Sequence, residues 1–189
     1  MNRIITISRE FGSGGRTIGQ QVAEKLGIPC YDQNLLDRIA EESGLTKGYI
    51  EERIENTRRS WFTSASADRS PRNTSYIWSV QKKIILDVAS QGPCVIIGRC
   101  ADFILKDQAD LLKVFITASV PDRAKRVVEK YGENGDAIEQ RLREKDISRS
   151  SYYRFYTDME WGICKNYDIS LNSGLLGIDR CVEIITSMY

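Results

Sequence analysis

Three closely spaced glycines, Gly12, Gly14 and Gly15, are the residues of this chain best suited to chemistry. β-favouring residues at 4–7 run into them, and apolar residues at helical spacing follow, up to a predicted helix end at Gly27. The main-chain N–H groups of such a turn, with the N-terminus of the helix behind it, form an anion site suited to phosphate. The segment predicts a nucleotide-binding loop. The alternative is a plain strand-to-helix connection whose glycines only supply positive φ.

The loop departs from the phosphate-loop consensus G-x-x-x-x-G-K-[ST] at three positions. If Gly14 is the second glycine, the lysine position falls on Gly15 and the first glycine position falls on Arg9. Arg16 then stands where Ser or Thr is expected. The consensus lysine reaches the terminal phosphates of the nucleotide, so this loop lacks that contact unless another cation supplies it.

A dinucleotide-binding pattern, G-x-G-x-x-G, also fits part of the loop. It fits at Gly12 and Gly14, but Thr17 replaces the third glycine. Asp32 follows Gly12 by 20 residues, which is the offset of an acid that binds a ribose. The loop by itself therefore leaves a phosphate-transfer and a nicotinamide hypothesis open.

A run of cations in a predicted helix from about 136 to 155 forms the second candidate group. A solvated helix face explains 141–145, since pairs such as Glu139 and Arg143 stabilise a helix by about 0.2–0.5 kcal/mol. It explains 148–154 less well, because serines and tyrosines interrupt the apolar stripe. An arginine-bearing helix over a glycine loop supplies the cations and the exclusion of water that phosphoryl transfer needs. The run therefore favours phosphoryl transfer over hydride transfer. Its cations are Arg141, Arg143, Lys145, Arg149 and Arg154.

Strand and helix patterns alternate along the chain. The continuous apolar runs at 94–97 and 111–117 are typical of strands covered on both faces. Alternation of this kind predicts a parallel sheet flanked by helices, with ligands bound beyond the carboxyl ends of the strands. A charged residue there, such as Arg99, can also simply end a strand. The residues expected at that edge are 8–16, Tyr31, Asp32, Gly98, Arg99 and 117–119.

Composition narrows the function classes. A chain of 189 residues suits one domain, and its net charge of +1 argues against a broad nucleic-acid surface. The chain has no histidine, which excludes Ser-His and Cys-His nucleophilic machinery, and its five scattered cysteines form no C-x-x-C. No metal-ligating side chain is therefore predicted. The absence of a signal pattern and of a membrane-length apolar run predicts a cytoplasmic protein with reduced thiols.

The span 56–75 loses the apolar pattern and is rich in Arg, Ser and Thr. A connection of 20 residues is long for a compact domain, so it predicts a mobile or substrate-facing loop. Trp61 and Phe62 are predicted to dock this loop onto its own domain, with a partner surface as the alternative.

Taken in order, the motifs resemble those of nucleoside monophosphate kinases, and specifically the cytidylate kinase-like family. The resemblance implies a single domain over 1–189 with a P-loop kinase-like three-layer α/β fold, in which helices flank a five-stranded parallel sheet. It also implies a substrate-facing region at about 32–75 and a mobile helical lid at about 135–160. It covers nearly the whole chain, and the residues that carry it are 5–16, Cys30–Asp32, Ile97–Arg99, 146–149 and 167–173.

The resemblance also implies roles for individual residues. The glycine loop would hold the donor phosphates, and Arg99 would hold the phosphate of the acceptor. Asp146 and Arg149 match an Asp-x-x-Arg pair that contacts the acceptor nucleotide and its phosphate. Arg16 is the nearest cation in sequence to replace the missing lysine. The expected donor site is Ser8, Gly12, Ser13, Gly14, Gly15, Arg16 and Thr17, the expected acceptor site is Tyr31, Asp32, Arg99, Asp146 and Arg149, and the expected catalytic residues are Arg16, Asp146, Arg149 and Arg154.

The implied activity is that of a cytoplasmic transferase. It would move a phosphoryl group from ATP, with Mg²⁺, to a nucleoside monophosphate such as CMP or to a similar small phosphate acceptor. Nucleic acid and membranes are not expected as partners. Cys100 stands where cytidylate kinases carry an acidic residue, and no strand ends in an Asp suited to binding magnesium, so the acceptor base stays open. The missing lysine supports a second hypothesis, a regulatory nucleotide-binding module without catalysis. A small dinucleotide-binding protein that uses Gly12, Gly14 and Asp32 is the third.

Overall fold

The computed structural model describes residues 3–50, 71–108, 110–131 and 137–189. Most of the predicted loop at 56–75, including Trp61 and Phe62, lies outside these ranges. Residues 71–75 do lie within them, and they are helical rather than irregular. The described part of this helix runs from Pro71 to Ser90.

Within these ranges the chain alternates strands and helices as predicted. The strands are β1 (Ile4–Arg9), β2 (Cys30–Tyr31), β3 (Cys94–Ile97), β4 (Leu111–Thr117) and β5 (Ile169–Asn172). The helices are α1 (Gly15–Leu26), α2 (Gln33–Ser43), α3 (Pro71–Ser90), α4 (Ala101–Ile104), α5 (Val120–Tyr131), α6 (Ile138–Thr157), α7 (Ser173–Leu176) and α8 (Ile178–Ser187), with a further helical run at 47–50 and a 3₁₀ turn at Cys164–Asn166.

The five strands form one parallel sheet in the order β2-β3-β1-β4-β5. β1 therefore lies between β3 and β4, whereas in a dinucleotide-binding fold the first strand lies beside the second. The order confirms the predicted P-loop kinase-like class and argues against the dinucleotide hypothesis. Main-chain bonds from Gly98 to Ile7 and from Glu10 to Ile116, each 3.0 Å, carry the ladders into the loops at the carboxyl edge.

Alternate residues of β1 face the two helical layers, as the two-residue period of a strand requires. Ile5 and Ile7 pack against α1 and α8, and Ile4 packs against α2 and α3 on the other face. All three are buried, and burying an isoleucine side chain stabilises the fold by about 1.5–3 kcal/mol. This packing fixes the sheet edge where β1 ends and the glycine loop begins.

Two helices position the candidate site. α1 ends where predicted, at Gly27, whose φ of +66° lets its N–H bond the carbonyls of Ala23 and Glu24. α6 confirms the single long helix predicted over this stretch, and its second half packs against α3 through stacked rings of Trp78 and Tyr156, 4.2 Å apart. Among the described helices, none is both long and apolar enough to cross a membrane.

Candidate active site

Gly12 and Gly14 both adopt φ of +79°, the left-handed region that favours glycine. Close packing requires them as well, because a Cβ on Gly14 would lie 2.5 Å from the Cδ1 atom of Ile178. The side chain between them, Ser13, is buried and donates to the Glu10 carbonyl over 2.9 Å. Ser13 therefore shapes the loop from within, and the loop presents main-chain groups to the cavity above it.

The loop is held on both sides. The Glu10 carboxylate accepts hydrogen bonds from the Thr117 hydroxyl at 2.5 Å and from the Ala118 main-chain nitrogen at 3.1 Å. On the other side, Arg126 donates to the Gly12 carbonyl over 2.8 Å. These contacts fix the path of the loop before any ligand binds, which is the preorganisation that electrostatic catalysis needs.

Two cavities open at the carboxyl edge of the sheet. The loop cavity, about 300 Å³, lies over the glycine loop and is lined by Gly14, Gly15 and Thr17 among others. The aromatic cavity, about 240 Å³, is lined by Tyr152 and Trp161 among others. Four residues line both cavities and so form the junction between them. These junction residues are Arg9, Phe11, Arg99 and Arg149.

Arg9, the last residue of β1, reaches into this junction. Among the described residues, no carboxylate pairs with its guanidinium and no acceptor hydrogen-bonds it. Burial, and after it the positive charge of Arg149, lower the pKa of Arg9 to about 9, while Asp32 acts to raise it. The side chain still carries its charge at neutral pH, so the junction holds a desolvated cation that no carboxylate of the described ranges pairs with.

Arg99 occupies a strained turn after β3. Gly98, Arg99 and Cys100 all have positive φ, of +72°, +59° and +54°, which costs the two non-glycine residues about 1–2 kcal/mol each. The buried amide of Gln81 stabilises this turn by donating to the Arg99 carbonyl over 3.0 Å, and it accepts from the Tyr152 hydroxyl over 3.0 Å. The strain is therefore maintained by α3 and α6, and its effect is to direct Arg99 into the junction.

Arg149 approaches the same point from α6. Its guanidinium donates to the Arg9 carbonyl over 3.0 Å and lies 5.5 Å from the centre of the Phe11 ring, which attracts a cation. Burial lowers the pKa of Arg149, and the nearby Asp146 charge opposes that effect. Together with Arg9 and Arg99, this side chain makes the junction strongly positive.

Asp146 joins α6 to the glycine loop. One carboxylate oxygen accepts from the Phe11 main-chain nitrogen over 2.7 Å, and the other pairs with Arg123 of α5. Arg123 in turn donates to the Phe11 carbonyl over 3.2 Å. Both oxygens thus have protein partners, and the contact with the acceptor nucleotide expected for Asp146 stays a prediction.

The structure brings most of the predicted site residues to one place. The loop cavity is lined by Gly12, Gly14, Gly15, Arg16, Thr17, Asp32, Arg99 and Arg149, and Ser8 lines the aromatic cavity. Arg16 is engaged by Asp32, since its Nε atom pairs with an Asp32 oxygen at 2.5 Å. Four predicted residues do not line either of these two cavities: the buried Ser13, Tyr31 against the apolar core, Asp146, and the exposed Arg154.

Sequence reasoning placed Arg9 and Phe11 at the sheet edge, within 8–16, without a role for either side chain, and it missed Arg126 and Gln81. Arg9 left a signal, because an arginine at the first consensus glycine coincides with a glycine at the consensus lysine. The other three left none, since their roles depend on contacts with residues distant in the sequence.

The loop cavity offers few oxygen ligands for a metal ion such as magnesium. In the described part of the chain, no group of three or more His, Cys, Asp or Glu side chains is placed to hold a metal ion. Glu10, Thr17 and Asp32 do line the loop cavity. This set fits a magnesium ion that arrives on nucleotide phosphates, because such an ion keeps several waters and takes one or two carboxylates.

A parallel sheet with a glycine loop after β1, an arginine after β3 and an arginine-bearing helix above them defines a P-loop kinase-like protein. The chain belongs to the cytidylate kinase-like family, whose sequence model matches residues 4–175. This finding confirms the resemblance seen in the motifs.

Relatives and solved structures agree with that assignment. The chain is 32% identical to a cytidylate kinase of Archaeoglobus fulgidus over 96% of this chain and 91% of the relative. It is 24% identical to a cytidylate kinase of Ignicoccus hospitalis over 98% of each. An uncharacterized protein from Eubacterium ventriosum superposes with a TM-score of 0.77 at 28% identity, covering 98% of this chain and 97% of the other. A shikimate kinase from Bacteroides thetaiotaomicron, with a TM-score of 0.59 at 16% identity over 100% and 98% of the chains, shares the fold.

Proposed function

We propose that the protein catalyses ATP-dependent phosphoryl transfer to a nucleoside monophosphate, CMP or a close analogue. The observation that carries the proposal is that Arg99 and Arg149 line both cavities, so they stand where a donor and an acceptor phosphate would meet. Membership of the cytidylate kinase-like family supports the same chemistry. The net charge of +1 suits free nucleotides in the cytoplasm better than nucleic acid.

The glycine loop is the proposed donor site. Its main-chain N–H groups, with the N-terminus of α1, would hold the β- and γ-phosphates of ATP in the loop cavity. Magnesium bound to those phosphates would neutralise their charge, with Thr17, Glu10 and Asp32 as the oxygen ligands within the cavity. The fixed path of the loop would hold the γ-phosphorus in line for attack.

The acceptor would place its phosphate against Arg99 and Arg149 and its base in the aromatic cavity, beside Tyr152 and Trp161. A phosphate oxygen of the acceptor attacks the γ-phosphorus, and the bond to the β-phosphate oxygen breaks, releasing ADP and a nucleoside diphosphate. The attacking oxygen is already ionised, so no protein base is required. α6 would act as the lid that excludes water, because it carries Arg149 and covers the junction.

The test is an ADP-release assay of the full chain with ATP, Mg²⁺ and each of AMP, CMP, dCMP, GMP and UMP. We expect CMP or dCMP to react fastest. We also expect Arg99→Ala to lower kcat/KM for the acceptor by roughly 100-fold, because the variant lacks the positive charge that would stabilise the phosphates in the reacting complex. The exposed Arg180, which pairs with Glu183 on α8, offers the matched control Arg180→Ala.

The second candidate is a regulatory nucleotide-binding module, which the glycine at the consensus lysine position favours. It predicts tight ATP binding without ADP release above the ATPase background for any acceptor. That result would overturn the kinase proposal.

A further inference from the structure

The glycine loop has a glycine, Gly15, at the consensus lysine position and an arginine, Arg9, at the end of β1, where the consensus has a glycine. We infer that Arg9 replaces the missing lysine, so that the cation for the terminal phosphates of ATP enters from the end of β1 instead of the start of α1. This inference rests on the proposed function, since it assumes that the loop cavity holds a nucleoside triphosphate. It replaces the expectation that Arg16 serves this purpose.

The space between positions 9 and 15 has room for only one long side chain, and Arg9 fills it. A Cβ on Gly15 would lie 2.5 Å from the Arg9 Cβ and 2.9 Å from its Cγ, closer than such atoms approach in proteins. A Cβ on Gly98 would meet the Arg9 Nη1 atom. The Arg9 side chain therefore runs from Gly15 to Gly98, and the glycine at position 15 leaves the room that its Cβ and Cγ atoms occupy. A lysine at position 15 and an arginine at position 9 exclude one another.

Arg9 and Arg16, the two candidates to replace the lysine, differ in their ion-pair partners. Arg16 pairs with Asp32, and 42% of its side chain is exposed. Arg9 lines both cavities and, within the described ranges, meets no carboxylate partner. An unpaired cation withdrawn from water is costly to a fold, and a phosphate anion compensates that cost. The geometry therefore matches Arg9, rather than Arg16, to a polyphosphate in the loop cavity.

The chemistry of arginine refines the role. A lysine contacts phosphate as a point charge, whereas the planar fork of arginine donates two parallel hydrogen bonds. Arg9 lies at the junction of the cavities together with Arg99 and Arg149, so its fork would bridge oxygens of the terminal phosphate groups. The contact is then specific for triphosphates over monophosphates in the donor site.

Binding of ATP and of AMP to the loop cavity, measured by isothermal titration calorimetry without an acceptor, tests the inference. Arg9→Gly should weaken ATP binding roughly 10- to 100-fold, the loss expected for a charge-assisted hydrogen bond, and leave AMP binding within about threefold. Gly15→Lys alone should also weaken ATP binding, because the new side chain displaces Arg9. The double variant R9G/G15K restores the consensus pair and should bind ATP within about tenfold of the parent.

Two controls match these changes. Arg180→Ala removes a surface arginine, and Gly48→Lys adds a lysine at a glycine around which a Cβ would meet nothing within 4 Å. Both should bind ATP as the parent does. If Arg9→Gly does not fold, as judged by its circular dichroism melt, Arg9→Met keeps the packing volume and takes its place. Unchanged ATP affinity in the Arg9 variant, equal losses for ATP and AMP, or a double variant no better than Gly15→Lys would overturn the inference. Failure of the parent protein to turn over any acceptor would count against the proposed function alone, since these measurements need no turnover.

Discussion

The side-chain amide of Gln81 donates to the main-chain carbonyl of Arg99 over 3.0 Å, and this bond ties the middle of α3 to a turn of three left-handed residues. Gln81 is buried, and the Tyr152 hydroxyl satisfies the other end of its amide. Two helices, α3 and α6, therefore hold the backbone of a residue that lines both cavities. The hydrogen bond from Gln81, which does not line either cavity, therefore helps to set the position of Arg99 at the junction.

Gln81→Leu should lower the free energy of unfolding by about 1–3 kcal/mol, because it leaves the Arg99 carbonyl and the Tyr152 hydroxyl buried without partners. It should also lower kcat/KM for the acceptor roughly tenfold, leaving KM for ATP unchanged, if Arg99 serves the acceptor phosphate as proposed. Urea denaturation and steady-state kinetics measure the two effects. Tyr152→Phe breaks only the outer bond and is the milder comparison. Equal losses towards ATP and acceptor would contradict this assignment of Arg99.

Asp146→Asn should lower the free energy of unfolding by about 1–3 kcal/mol, since it removes the charge that faces the buried Arg123 and weakens the bond to Phe11. ATP affinity should fall with it, because Phe11 belongs to the glycine loop. Thermal melts and ATP titrations check both, with the exposed Asp107→Asn as control. A higher KM for the acceptor with unchanged stability would instead support the family-implied contact between Asp146 and the acceptor nucleotide.

Arg9→Met should raise the free energy of unfolding even as it weakens ATP binding. Burial lowers the pKa of Arg9 in the folded protein to about 9, well below its ordinary value, so the charge destabilises the fold at neutral pH. Because the pKa is lower in the folded state, the cost is complete below pH 9 and diminishes as the pH rises through that value towards the ordinary pKa of arginine. Melts of both proteins at pH 7.5 and pH 10 should show the advantage of the variant narrowing. A variant less stable than the parent at both pH values would show that Arg9 contributes more by packing than its charge costs.

Asp102 should make the stability of the fold depend on pH in the acidic range as well. Burial raises the pKa of this carboxyl group, while the hydrogen bond from Tyr153, 2.8 Å long, acts to lower it. A raised pKa means that the folded state holds the proton more tightly. The resulting stability is complete below the ordinary pKa of about 3.9 and is lost as the pH rises through the folded value. Asp102→Asn keeps an acceptor for Tyr153 and cannot titrate, so its advantage over the parent should grow from pH 4 to pH 7. A constant difference across that range would rule the titration out.

The fold was largely predictable because its signals are local. Continuous apolar runs such as 94–97 became buried strands, and Gly27 ended α1 as its position indicated. Residues 71–75 were misjudged as loop, since these polar residues carry no apolar stripe although they are helical in α3. The strand order was not predicted, because pairing between distant segments leaves no periodic trace in one sequence.

The candidate site was predictable only where a motif marks it. The glycines and Arg99 follow strands, so their place at the sheet edge could be expected and was found. Asp32 as a partner of Arg16 could not be expected, since the pair forms across the gap between α1 and α2. The direction of each arginine depends on which carboxylates and rings surround it, and those neighbours are set by the tertiary packing.

The close approach of Arg9 to Gly15 also constrains how such a loop can change by single substitutions over generations. A lysine gained first at position 15 collides with Arg9, and a glycine gained first at position 9 leaves the loop without its cation. If Arg9 serves as proposed, single substitutions that convert one loop into the other would therefore pass through a step of weakened ATP binding. A motif that requires lysine after the second glycine does not match this chain.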